Sequence, residues 1–174
     1  MADLRLPQRP ACLDITEVPP ATRFVLRAAE PFIASCAHAL NLDLLLPINR
    51  VSSNGPCSAL RLGPDEWWLN VPIESGADVA RRIDAIDGAH ALVDLSHQHA
   101  GLCLAGPAVA DVLASGCPQP LGLTQFPIDR CTRTVFAQAQ IVLWRRGERT
   151  FQLDVARSFA PYVVGLLQRE VESL

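Results

Sequence analysis

Along this chain, apolar and polar positions alternate with two different periods, and the switches between them divide it into elements. "TRFVLRA" at 22 to 28 alternates as a strand does, and "PFIASCAHAL" at 31 to 40 opens on a proline and continues as a helix to Asn41. A stretch rich in Pro, Asn, Ser and Gly from 47 to 57 reads as a loop. "SALRL", the turn Gly63-Pro64-Asp65 and "EWWLNV" then form a hairpin, with proline at the second turn position. "SGADVARRIDAI" at 75 to 86 places Ala77, Ala80, Ile83 and Ile86 at helical spacing, and Gly88 ends it. "AHALVDLS" at 89 to 96 is the next strand.

The order so far is β-α-β-β-α-β, the split βαβ arrangement of ferredoxin-like folds. The remainder nearly repeats it. "HAGLCLAG" at 99 to 106 is a strand and "PAVADVLAS" at 107 to 115 a helix closed by Gly116. "RTVFAQ", "QIVLW" and "TFQLDV" are strands, and "SFAPYVVGLLQREV" at 158 to 171 is the last helix, with Ser158 placed to cap it and Pro161 inside its first turn. The expected fold is α+β: two ferredoxin-like βαββαβ halves with antiparallel sheets and helices on one face. The halves span about 22–96 and 97–174 within a single domain, 21–174. Residues 1–20 mix proline and isolated apolar residues without a period and read as an extended N-terminal arm.

A chain of 174 residues buries a core without staples, and 49% hydrophobic against 19% charged residues excludes a disordered one. All fifteen positive residues are arginine. That removes Schiff-base and P-loop lysines, so "GLCLAGPA" is no phosphate cradle. The six cysteines contain no C-x-x-C pair, the first thirty residues show no basic start followed by an apolar stretch of 7 to 15 residues, and nowhere do about 18 apolar residues run together. A cytoplasmic protein with reduced thiols, not associated with membranes, is expected. His97 and His99 would share a face if they lay on one strand, but no third metal ligand stands near them. His38 and Tyr162 read as packing residues. No nucleophile motif or triad occurs, so no catalytic, cofactor-binding or metal-binding residue is expected on this chain.

Trp67 and Trp68 are adjacent on a strand, so their indoles diverge and one is expected to face outward. Trp144 stands among Arg130, Arg133, Arg145, Arg146 and Arg149. Arginine and tryptophan are enriched at protein interfaces, and a net charge of −3 argues against nucleic acid. Trp67, Trp68, Trp144, Arg145, Arg146 and Arg157 are therefore the candidate partner contacts.

"LGPDEWWL" at 62–69, "VDLSH" at 93–97, "CTRT" at 131–134 and "ARSFAPYV" at 156–163 resemble, in that order, the gamma subunit of heterotetrameric sarcosine oxidase over roughly residues 22–172. "VDLSHQHAGLCLAGPAVADVL" is similar to the folate-binding aminomethyltransferase family, whose fold agrees with paired βαββαβ halves. "CPQPL" at 117–121 departs from the "CPLDL"-like stretch expected there. The resemblance implies a non-catalytic subunit beside alpha, beta and delta subunits. The alpha and beta subunits would carry FAD, FMN, NAD and the tetrahydrofolate site, and the delta subunit would bind zinc. Such a complex demethylates sarcosine to glycine and peroxide, passing the methyl carbon to tetrahydrofolate. Two alternatives are a gamma-type subunit of a related N-methyl amino acid dehydrogenase, such as one acting on N-methylglutamate, and a free-standing folate-binding one-carbon protein.

Overall fold

A computed structural model describes residues 12–173. The described residues divide into two compact units, 20–97 and 98–173 together with 12–19.

In the unit Pro20–His97 the order is β2 (Ala21–Ala28), α1 (Glu30–Leu40), β3 (Val51–Asn54), β4 (Cys57–Arg61), β5 (Glu66–Pro72), α2 (Ile73–Asp84) and β6 (His90–Asp94). The strands form an antiparallel sheet in the order β3-β4-β5-β2-β6. Phe24, Leu26, Trp67, Leu69 and Val71 point to one face, where they pack with Phe32, Ile33 and Cys36 of α1 and Val79 and Ile83 of α2. Burial pushes the Cys36 thiol up to about 11. The 47–57 stretch read as a loop contains β3, which turns back into β4 through Gly55, at φ 57, and Pro56. Only glycine enters that first turn position cheaply, and the proline behind it hid the hairpin in the sequence.

The helix at 75–86 begins two residues earlier and turns differently from the expected stripe. Gly76, Val79 and Ile83 face the core, Ala77 is exposed, and Ala80 and Ile86 lie at the margin. Gly76 sets this rotation. A Cβ there would stand 2.5 Å from Thr22 Oγ1 of β2, so the bare backbone lets α2 close onto the sheet. Gly76→Ala is expected to lower stability by about 1–3 kcal/mol by forcing the two apart, although alanine is the better helix former. Urea denaturation measures it, and a neutral or stabilised variant would contradict this packing.

The second unit contains β7 (His99–Ala105), α3 (Val109–Ala114), β8 (Cys131–Phe136), β9 (Ala139–Gly147), β10 (Thr150–Ala156) and α4 (Ala160–Glu172). Its sheet order is β1-β7-β10-β9-β8, where β1 (Asp14–Glu17) comes from the segment read as an arm. Residues 1–11 of that arm lie outside the described residues. Leu102, Leu104, Phe151, Leu153, Val155 and Leu143 form the core face, against Val163, Val164 and Leu167 of α4. Ser158 does not cap α4. Phe159 holds the cap position without a side-chain hydrogen bond, and Pro161 lies in the first turn.

Matched strand by strand, the two sheets correspond: β3 to β8, β4 to β9, β5 to β10, β2 to β7 and β6 to β1. A short sequence repeat marks the same correspondence. "PINR" at 47–50 precedes β3 and "PIDR" at 127–130 precedes β8, with Asn49 and Asp129 both left-handed at φ 65 and 60. Asn and Asp tolerate that region best among residues with side chains. In each repeat the left-handed N–H donates to the carbonyl of a buried arginine: Asn49 to Arg61 at 2.7 Å and Asp129 to Arg145 at 2.9 Å.

Candidate partner surface

Trp67 and Trp68 diverge across β5 as expected, but neither reaches solvent: Trp67 is 0% and Trp68 2% exposed. Trp67 enters the helix-side core, donates its indole N–H to the Leu44 carbonyl at 2.8 Å and lies 5.1 Å below the Arg61 guanidinium. Trp68 lies on the other face, where its N–H donates to Asn70 Oδ1 at 3.1 Å and Asn70 in turn donates to Ser58 Oγ at 3.2 Å. The expectation of an outward indole is therefore overturned. β5 is the central strand of its sheet, and every residue from Glu66 to Val71 is buried. The polar residues Arg23, Ser58 and Asn70 on that face are themselves buried.

Trp144 is also buried, at 6%, with its N–H aimed at Asp129 Oδ1 at 3.3 Å. Arg145 points into the core face of its sheet. Its guanidinium stacks 4.3 Å from the Phe151 ring and donates to the carbonyls of Leu121 and Glu148, and desolvation lowers its pKa. It ties the 117–130 segment to the sheet, as Arg61 does in the other unit through the carbonyls of Leu46, Gly63 and Pro64. Alternation with Ile141 and Leu143 along β9, and with Ala59 along β4, was the available signal for the two arginines.

Arg146 and Arg157 do reach the surface. Arg146 lies 4.8 Å over the Trp144 ring, and the Arg157 guanidinium donates to the His99 carbonyl at 3.4 Å. Beside Arg157 stand two aromatics absent from the sequence-derived set. Phe159 is 45% and Tyr162 39% exposed, packed edge to face with centroids 6.5 Å apart. Tyr162 is thus no core residue. The buried positions of α4, Ala160, Val163, Val164 and Leu167, follow an i, i+3, i+4, i+7 stripe that leaves Tyr162 outside, a pattern legible in the sequence. His38 is likewise exposed, in the last turn of α1.

"DLSH" serves as a structural joint. Asp94 Oδ1 accepts from the Ser96 N–H at 2.8 Å and from the Ser96 hydroxyl, whose oxygen accepts from the Arg23 N–H at 3.0 Å. The Leu95 N–H donates to the Arg23 carbonyl at 2.8 Å, so the end of β6 is clipped to β2. His97 lies in the turn that follows and His99 opens β7, so the two do not share a strand. Hydrogen bonding from Ser96 holds the Asp94 carboxyl below its ordinary pKa. A depressed folded-state value contributes stability above the unfolded carboxylate range and loses it as pH falls through the folded value. Asp94→Asn is therefore expected to lower Tm at neutral pH, with the gap to the parent closing in strong acid. A gap constant with pH would contradict the clip.

Among the described residues, no group of three His, Cys, Asp or Glu side chains is placed to hold a metal, and no helix is long and apolar enough to cross a membrane. The six cysteines are free, three of them buried.

Comparison with known proteins agrees with this architecture. The sarcosine oxidase subunit gamma of Corynebacterium sp. (strain U-96) is 31% identical over 137 residues, 75% of this chain and 64% of the relative; the chain thus spans less than two thirds of that relative's length. A structure of heterotetrameric sarcosine oxidase from Corynebacterium sp. U-96, in complex with pyrrole 2-carboxylate, superposes with a TM-score of 0.85 at 28% identity, covering 92% of this chain and 84% of that one. The glycine cleavage system aminomethyltransferase T of Bartonella henselae shares the fold, with a TM-score of 0.68 at 17% identity over 90% of this chain and 45% of its own. The profile described as sarcosine oxidase, gamma subunit family matches residues 26–172. With that match and the relative's identity, the chain belongs to the sarcosine oxidase gamma subunit family.

Proposed function

We propose that this chain is a non-catalytic gamma subunit of a heterotetrameric sarcosine oxidase. Its role is to support the flavin-dependent oxidative demethylation of sarcosine to glycine, with the methyl carbon passed to tetrahydrofolate. FAD, FMN, NAD and tetrahydrofolate are held by alpha- and beta-type partner subunits, a delta-type subunit completes the tetramer, and the assembly works in the cytoplasm. The observation that carries this reading is the superposition on a chain of the heterotetrameric enzyme at a TM-score of 0.85 over 92% of this chain. The aminomethyltransferase likeness supports the fold alone, so folate is assigned to a partner.

The docking contact is the surface formed by Arg157, Phe159 and Tyr162, with Arg146 a further candidate. Packing accounts for family resemblance at buried positions, yet "ARSFAPYV" also carries two aromatics in solvent. A cation beside exposed aromatic rings is the composition of an interface hot spot, and the occupant is a partner subunit of the oxidase.

Co-expression with the neighbouring genes tests the reading. The chain is expected to elute in a yellow, flavin-containing particle active on sarcosine; elution alone and colourless would overturn it, and activity only on another N-methyl amino acid would reassign the substrate. The double variant Phe159→Ser, Tyr162→Ser is expected to keep its far-UV spectrum and lose at least about tenfold in affinity for the particle, since each such hot-spot residue contributes about 1–2 kcal/mol.

A further inference from the structure

The two sheets are equivalent strand for strand but differ in how the last place is filled. In the unit Pro20–His97, the position beside β2 is taken by β6, which follows α2 directly. In the other unit, no described strand follows α4, and the equivalent position beside β7 is filled by β1, from the far end of the sequence.

The contacts of β1 are those of a docked peptide. Asp14 to Glu17 pair antiparallel with Ala105 to Leu102. Leu13 and Ile15, each 5% exposed, enter the core cluster with Leu102, Leu104 and Phe151, while Asp14 and Thr16 face solvent. The ends are pinned by backbone alone: Val18 N–H donates to the Gly101 carbonyl at 2.9 Å and Ala108 N–H to the Cys12 carbonyl at 3.0 Å. Gly106, at φ 148, clears the way, since a Cβ there would stand 2.3 Å from the Cys12 oxygen. The segment leaves the sheet through Pro19 and Pro20, both exposed, which have no N–H to bond and fixed, extended backbones.

We propose that the open side of β7 is a strand-acceptor site and that residues 12–18 are an exchangeable occupant, replaceable by the same strand of a second copy of this chain. Main-chain pairing supplies the affinity. The apolar positions taken by Leu13 and Ile15, together with the close approach over Gly106, supply the selectivity, as in other cases of strand addition. Exchange of a terminal strand across a short hinge is also the common route to swapped dimers.

The test uses the full chain with a protease recognition sequence inserted between Pro19 and Pro20. After cleavage, a fluorescent peptide of residues 12–19 is expected to replace the endogenous fragment at about one per chain. The uncut chain, its site already filled, is expected to take up at least about tenfold less, and a peptide carrying Ile15→Asp is expected not to bind. If cleavage causes precipitation, solubility restored by the parent peptide but not by the Ile15→Asp peptide supports the proposal. Cut chain that takes up no peptide, equal uptake by uncut chain, equal binding of the Ile15→Asp peptide, or precipitation that the parent peptide does not reverse would overturn it.

Discussion

Replacing Trp67 by Ala is expected to destabilise the isolated chain by about 3–5 kcal/mol, a large part of the roughly 5–15 kcal/mol that holds a typical domain folded. Three losses coincide. The indole is 0% exposed and packs among Phe24, Leu26, Leu69 and Ile33, so truncation opens a cavity that β5, hydrogen-bonded on both sides, cannot collapse. The Leu44 carbonyl loses its donor, and the buried Arg61 guanidinium loses the ring beneath it. Trp67→Phe restores most of the volume but not the N–H, and falls between, at about 1–2 kcal/mol. Urea denaturation followed by far-UV circular dichroism measures both variants. A Trp67→Ala cost below about 1 kcal/mol would mean that this indole is not a core residue.

Arg145→Ala is expected to cost about 3–4 kcal/mol, although the replaced residue is charged and alanine is not. The carbonyls of Leu121 and Glu148 lose their donor, and the face of Phe151 loses the guanidinium. The 117–130 segment is held at this point, so the loss is expected to loosen the chain between α3 and β8 before the sheet itself. Arg145→Lys separates charge from geometry. A single ammonium on a flexible stem cannot reproduce the planar fork, so Lys is expected to recover no more than about half of the loss. Hydrogen exchange provides the regional readout: faster exchange at 117–130 with β9 and β10 still protected is the expected pattern. Arg145→Ala with parental stability would show that the guanidinium is not holding this segment.

The helices and all but two of the strands were legible in the sequence, because alternation and helical spacing carry their own periods. β1 and β3 were not. Both are four residues long and carry mostly polar or small side chains, and what makes them strands is pairing with β7 and β4, not an intrinsic pattern. The rotation of α2 was misread for a related reason. Counting alanines as inward points to Ala77, whereas the close approach to Thr22 selects Gly76, a tertiary contact with no local signal.

The surface was read with the same partial success. Strand alternation separated Trp67 from Trp68 correctly, but period alone does not reveal whether the second face of a sheet is covered. On that face the polar residues Asn70 and Ser58 are themselves buried, Asn70 bonding both Ser58 and the Trp68 indole. Tyr162, by contrast, could have been found from the α4 stripe, and the "PINR" and "PIDR" repeat from direct comparison of the halves.

Hydroxyl-radical footprinting of the chain, free and assembled with its partner subunits, tests the central claim: that the core tryptophans serve the fold while Phe159 and Tyr162 meet the partner. Oxidation of Phe159 and Tyr162 is expected to be strong in the free chain and suppressed on assembly, with Trp67, Trp68 and Trp144 little labelled in either state. Tryptophans that are oxidised when free and protected when assembled, with Phe159 and Tyr162 unchanged, would contradict it.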